Sequence, residues 1–208
     1  MHQKSNESLD GFSRYQIDKS ERIKRVGDYL ISKVLHKTEE HQTSYFNLEI
    51  GCGHGHWLTS FAKSQPNELF IGIDLITKRI LKAENKKSYH SLSNLFFIKA
   101  EASEFLDALP AQLKIRSTYI MFPDPWPKKR HFKKRLIQDS FLNQLSKYTT
   151  KPSQVFFKTD HTGYFEWATE IFESNHNWQS SRNNWPHHAN SFFQNLFNTS
   201  HTCCYERL

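Results

Sequence analysis

Three of the chain's seven glycines fall within five residues, Gly51-Cys52-Gly53-His54-Gly55. They stand between an apolar run at residues 46–50 and a segment of helical spacing that begins near Trp57. Glycine at this spacing lets the backbone turn sharply and approach a ligand without Cβ clashes. Around this loop the 208-residue chain alternates between two patterns. Short apolar runs recur at 46–50, 69–75, 95–99, 118–122 and 155–158, and between them lie helix-length segments at 57–64, 77–89 and 133–148. Such alternation predicts βαβ units and a largely parallel sheet with helices on both faces. Upstream, Ile23, Val26, Tyr29, Leu30 and Val34 recur at helical spacing and predict a helix over 18–37. Residues 1–18 are polar and read as a flexible arm, so 19–208 form one α/β domain. The stretch 175–186, rich in Asn, Ser and Trp, predicts a loop beside a strand.

The second apolar run ends in Asp74, 19 residues after Gly55. In a doubly wound fold an acid at this place hydrogen-bonds the ribose of an adenosine ligand. The dinucleotide fingerprint requires its third glycine three residues after the second, to seat a pyrophosphate. Here the third glycine comes after two, and His56 occupies the place it would take. Glu49, just before the loop, would repel a pyrophosphate but suits a ligand with a cationic amino-acid moiety. Glu49, the Gly51, Gly53 and Gly55 loop and Asp74 together favour S-adenosylmethionine over NAD. Glu101, after the third run, either reaches the adenine edge or caps a helix N-terminus, where the dipole favours an acid.

Three of the seven prolines fall in Phe122-Pro123-Asp124-Pro125-Trp126-Pro127. The fourth strand must stop at Pro123, since proline supplies no ladder donor. A rigid loop therefore leaves the carboxyl end of that strand, the edge where open α/β sheets bind ligands. It carries a carboxylate, an aromatic ring and six basic residues: Lys128, Lys129, Arg130, Lys133, Lys134 and Arg135. A stacking surface beside cations is the composition of an RNA site, with the cations as phosphate contacts.

Taken together, Leu48-Glu49-Ile50-Gly51-Cys52-Gly53-His54-Gly55, Ile71-Gly72-Ile73-Asp74 and Phe122-Pro123-Asp124-Pro125-Trp126-Pro127-Lys128-Lys129-Arg130-His131 resemble the bacterial tRNA (guanine-N7)-methyltransferase family. The resemblance implies a single class I methyltransferase (Rossmann-like) domain with a mostly parallel seven-stranded sheet. It implies methyl transfer from S-adenosylmethionine to N7 of the variable-loop guanine of tRNA. By matching motifs, Glu49, Asp74 and Glu101 would contact the cofactor, and Asp124 would sit at the cofactor–guanine junction. Lys128 and Asp160, the latter in a Thr-Asp pair after the fifth strand, would bind substrate. The family's C-terminal Thr-x-Phe/Tyr-Glu element is matched here by Tyr205 and Glu206. Its threonine is not matched: Cys203 holds that place, and Thr202 is displaced by one.

Twenty-eight Lys and Arg against 21 Asp and Glu leave a net charge of +7, which fits an anionic partner. No apolar run approaches the roughly 20 residues of a membrane span. Three cysteines, two of them adjacent, make a poor disulfide framework, so the expected compartment is a reducing cytoplasm. Cys52, His54 and His56 match no usual zinc spacing, and no metal is expected. His187 and His188 read as a solvated loop, and Phe165, Trp167 and Ile171 as core packing. A monomer or homodimer without an obligate protein partner is expected. The rival readings are an NAD-dependent oxidoreductase, which fails on glycine spacing, and a non-catalytic or divergent RNA-binding paralogue.

Overall fold

The alternation resolves into seven strands and seven α-helices in a computed structural model, which describes residues 11–187 and 200–208. In chain order these are α1 (Gly11–Tyr29), α2 (Leu35–Glu40), β1 (Tyr45–Ile50), α3 (His56–Ser64), β2 (Leu69–Asp74), α4 (Thr77–Tyr89) and β3 (Leu95–Lys99). There follow α5 (Ala102–Asp107), β4 (Lys114–Met121), α6 (Asp139–Tyr148), β5 (Thr149–Thr159), α7 (Thr162–Ser174), β6 (Trp178–Ser181) and β7 (His201–Arg207). The strands form one sheet in the order β3-β2-β1-β4-β5-β7-β6. Its first five members pair in parallel, and β7 runs antiparallel to β5 and β6. The mostly parallel seven-stranded sheet that the family resemblance implies is present. Among the described residues no helix is long and apolar enough to cross a membrane.

Strand periodicity divides β1 between two cores. Phe46, Leu48 and Ile50 face a cluster completed by α1, α5, α6 and α7. Asn47 and Glu49 face the other side, where Trp57, Leu58 and Phe61 of α3 and Ile80 and Ala83 of α4 pack on Phe70, Phe97, Tyr119 and Phe156. Each fully buried side chain of this size contributes roughly 1.5–3 kcal/mol. The strand order reverses at β1, whose neighbours are β2 and β4. Connections leave such a point toward opposite faces, so a crevice opens at its carboxyl edge.

Several boundaries differ from the sequence reading. The first helix begins at Gly11, so residues 11–18 are helical rather than part of an arm; residues 1–10 lie outside the described residues. It continues through a π-helical segment, Leu30–Val34, into α2. Arg22 donates to both carboxylate oxygens of Glu104 on α5, at 2.8 and 2.6 Å. These hydrogen bonds hold Glu104 below the usual carboxylate range against the opposing effect of burial. Arg22 thereby anchors α1 to the domain. The helix expected over 133–148 begins at Asp139, because Lys129–Lys134 form a 3-10 turn instead.

Gly55 is the joint between the loop and both layers. It holds φ +69°, and a Cβ there would lie 2.6 Å from Phe97 Cζ and 2.8 Å from Ala83 Cβ. Gly55→Ala should therefore lose about 2–4 kcal/mol of stability, combining overpacking with a left-handed alanine. A clear fall in the urea midpoint measures this; an unchanged midpoint contradicts the packing described.

Candidate active site

The crevice at the switch point is a cavity of about 200 Å³. Its walls are Glu49, the glycine loop with Cys52, His54 and His56, Trp57 from α3, Arg79 from α4, and Met121 and Phe122 at the end of β4. Gly51 and Gly53 hold φ of +77° and +55°, and a Cβ on either would meet nothing within 4 Å. The first two glycines thus expose backbone to open space, whereas the third serves packing.

Glu49 is 4% exposed, and its Oε2 has no hydrogen-bond partner among the described residues. Burial, and then the charge of Asp74, push its pKa up to about 8. A buried carboxyl with one oxygen left without a partner favours a ligand that carries positive charge. Asp74 is buried and already engaged. Its Oδ2 accepts from Gly53 N–H (3.1 Å) and lies 3.4 Å from Arg79 Nη1, and its Oδ1 accepts from Ile76 N–H (2.8 Å). Together with the Ile73 carbonyl, which accepts from the N–H groups of Gly51 and Cys52, Asp74 moulds the loop. The open glycine cradle and the orphaned Glu49 oxygen fit the amino-acid end of S-adenosylmethionine. Glu49, Gly51 and Gly53 line the cavity and would hold it, while Asp74, which does not line the cavity, would act through the loop it fastens.

Glu101, Asp124, Lys128, Asp160, Tyr205 and Glu206, also expected in the site, do not line this cavity. Glu101 caps α5, accepting from Glu104 N–H at 2.9 Å, so the capping alternative is realised in the structure. Asp124 and Lys128 are exposed on the loop that follows Phe122 and do not line the cavity. Asp160 is half-buried before α7. Tyr205 is 2% exposed with its ring stacked on Phe172 at 4.2 Å, and Glu206 sits opposite Gln154 and Gln179 in the sheet. Tyr205 thus holds β7 against α7 rather than facing the cavity. Cys203 is also turned toward that core, and burial pushes its thiol up to about 12. Thr202 Oγ1 accepts from Trp185 Nε1 at 3.0 Å.

Arg135 corrects the sequence reading outright. Expected as a phosphate contact, it is 2% exposed. Its Nε donates to the Pro125 carbonyl (2.9 Å) and its Nη1 to the Gly163 carbonyl (3.2 Å). The guanidinium lies 3.7 Å from the Phe132 ring centroid, with Tyr164 and Trp167 also within cation–π range. One side chain therefore ties the Pro-Asp-Pro-Trp loop to the first turn of α7, and with it Asp124 to the corner bearing Asp160. Trp126, at φ +43°, carries Lys134 Nζ 4.7 Å from its ring centroid and His131 edge-on. His187, expected in solvent, stacks on Phe61 at 4.9 Å, and its carbonyl accepts from Trp57 Nε1. His188 lies outside the described residues.

Residues that sequence reasoning missed are Trp57, Arg79, Met121 and Phe122. Arg79 alone had a usable signal, a cation five residues after the ribose-type acid. Arg135→Met should cost about 2–4 kcal/mol, because two charge-assisted hydrogen bonds and the ring contacts are lost together. Lys133→Met, at an exposed position, should leave the denaturation midpoint within error. Equal midpoints for the two variants would contradict the clamp.

Comparison with known proteins accords with this geometry. The family model described as "Putative methyltransferase" matches residues 43–200. A tRNA (guanine-N(7)-)-methyltransferase of Lachnoclostridium phytofermentans is 36% identical over 124 residues, 60% of this chain and 58% of that protein. Its counterpart from Brevibacillus brevis is 36% identical over 61% of this chain and 58% of that protein. The one from Mycoplasmopsis pulmonis is 34% identical over 67% and 66%. The matched region thus spans about 58% of the length of the first two relatives. An aminoglycoside resistance methyltransferase superposes with a TM-score of 0.60 at 14% identity, over 83% of this chain and 93% of the other. TrmN from Thermus thermophilus does so with 0.57 at 14%, over 79% and 44%. At such identities these two structures share the fold alone. The resemblance drawn from the glycine loop and the Pro-Asp-Pro-Trp segment is borne out by the relatives. With its model matched across residues 43–200, the chain belongs to this methyltransferase family.

Proposed function

We propose that the protein methylates N7 of a guanine in tRNA, the variable-loop guanine, using S-adenosylmethionine. The observation that carries this reading is the pairing of two features at one strand edge. A cavity suited to a cationic amino-acid ligand opens beside a rigid loop bearing an acid, an indole and exposed cations. The names of the relatives support the same substrate.

When bound, S-adenosylmethionine supplies a methyl group activated by a positive sulfur. Guanine N7 is an in-plane lone pair with no proton to remove, so the chain need provide no general base. Its contribution is alignment, which can supply roughly 7–11 kcal/mol at best. Glu49, Gly51, Gly53 and Asp74 hold the ligand on the β1–β2 side, with Glu101 beyond them at the α5 cap. Asp124, on the β4 side, accepts from the N1 and N2 edge of the guanine and stabilises the charge that develops on the purine. Lys128 and Asp160 bind the RNA, while Tyr205 and Glu206 support that wall from β7. Arg135 and the Trp185–Thr202 hydrogen bond keep these parts in register. The protein works in the cytoplasm on this reading, as a monomer or homodimer.

The test is incubation with unmodified tRNA and methyl-labelled S-adenosylmethionine, followed by nucleoside mass analysis. Label in 7-methylguanosine is expected, with Asp124→Ala lowering turnover roughly 100-fold while tRNA still binds. Label in another nucleoside would overturn the N7 assignment. Binding of both ligands without transfer would favour a non-catalytic RNA-binding paralogue.

A further inference from the structure

The cavity has a second charged flank that the Pro-Asp-Pro-Trp loop does not account for. Helix α4 carries Lys78, Arg79, Lys82, Lys86 and Lys87. Three of these, Arg79, Lys82 and Lys86, fall at spacings of three and four, which places them on one face. That face abuts the glycine loop. Lys86 Nζ donates to the His54 carbonyl at 3.1 Å, and Arg79 lines the cavity with His54 and His56. The helix's one carboxylate, Glu84, faces elsewhere: it accepts from Phe97 N–H and lies 3.7 Å from Lys87. Arg79 shares Asp74 with the loop backbone. Among the described residues no carboxylate neutralises Lys82 or Lys86.

The loop imidazoles register this uncompensated charge. Burial, and then Lys82, Lys86 and Arg79, hold His54 below the usual histidine range against a smaller opposing effect of Asp74. Burial, and then Lys86 and His54, do the same for His56. Burial and Lys82 lower Lys86. Groups that raise one another's potential across a cavity mouth are relieved when an anion arrives.

We propose that the face of α4 bearing Arg79, Lys82 and Lys86, together with His54 and His56, is a second RNA-phosphate surface, across the cavity from the loop bearing Lys128. The inference rests on the RNA reading above and deepens it. The two flanks follow β2 and β4, which are separated by β1 alone and so stand about 10 Å apart at the sheet edge. A base inserted between them from an RNA chain leaves backbone phosphates on either side of the opening. The loop cations meet one side of that strand, and the α4 face meets the other.

The test is tRNA binding by fluorescence anisotropy across a salt series, with S-adenosylmethionine affinity measured in parallel by calorimetry. Lys82→Gln, whose side chain holds no loop group, should reduce the log–log salt slope by about 0.7–0.9. Adding Lys86→Gln should double that reduction and weaken tRNA binding about tenfold at moderate salt. Lys63→Gln and Lys147→Gln, at exposed positions near the ends of α3 and α6, are the controls and should leave the slope unchanged. Wild-type slopes in both α4 variants, or equal losses in the controls, would overturn the proposal. Cofactor affinity falling while the tRNA slope stays constant would also overturn it, by assigning the face to the smaller ligand. A wild-type protein that binds no tRNA would instead remove the RNA reading itself, and this surface with it.

Discussion

Everything at the carboxyl edge of the sheet is arranged around one costly group, the carboxyl of Glu49. It stands one residue before the end of β1, on the face packed by Trp57, Phe61, Tyr119 and their neighbours, and its Oε2 is unsatisfied among the described residues. Burial of an acid without a partner costs stability, and the protonated state lowers that cost in the free protein. The fold keeps the acid because the strand must pass there: Ile50, the next residue, pairs with Ile73 and Ile120 on either side. Asp74, one strand over, raises the cost further, yet it also fastens the glycine loop through Gly53. A site strained in this way is complete only with a positive ligand in it.

The Pro-Asp-Pro-Trp loop depends on a different kind of restraint. The loop after β4 has few donors of its own, since its prolines remove them, and Phe122 and Trp126 adopt positive φ. It is held from outside by Arg135, which reaches back to Pro125 and across to Gly163. Rigid placement of exposed groups such as Asp124 and Lys128 then follows from one buried cation. The basic run therefore splits by role: its last member builds the scaffold, and its earlier members face solvent.

Local patterns were read from sequence with little loss. Residues 77–89 and 95–99 match α4 and β3 to the residue, because apolar periodicity and flanking breakers report on short segments. The glycine loop, Glu49 and Asp74 were legible for a related reason, since their spacing is itself the geometry. What was not legible depends on distant partners. Arg135 looks like its neighbours until Gly163, 28 residues away, is brought beside it. His187 becomes a packing residue because Phe61 stacks on it, and α1 is anchored to α5 by the Arg22–Glu104 pair. Lys129–Lys134 take 3-10 rather than α-helical form, ahead of the clamp at Arg135.

The claim that the cavity is built for a cationic ligand turns on the protonation of Glu49. With its pKa pushed up to about 8 by burial and then by Asp74, Glu49 is mostly protonated at pH 7 in the free protein. Ionisation against a bound positive charge must then expel that proton. The direct measurement is calorimetric titration with S-adenosylmethionine at pH 7 in buffers of different ionisation enthalpy, for the wild type and for Glu49→Gln. The wild type is expected to release more protons on binding than the variant. Equal proton release by the two proteins, with cofactor bound by both, would contradict it.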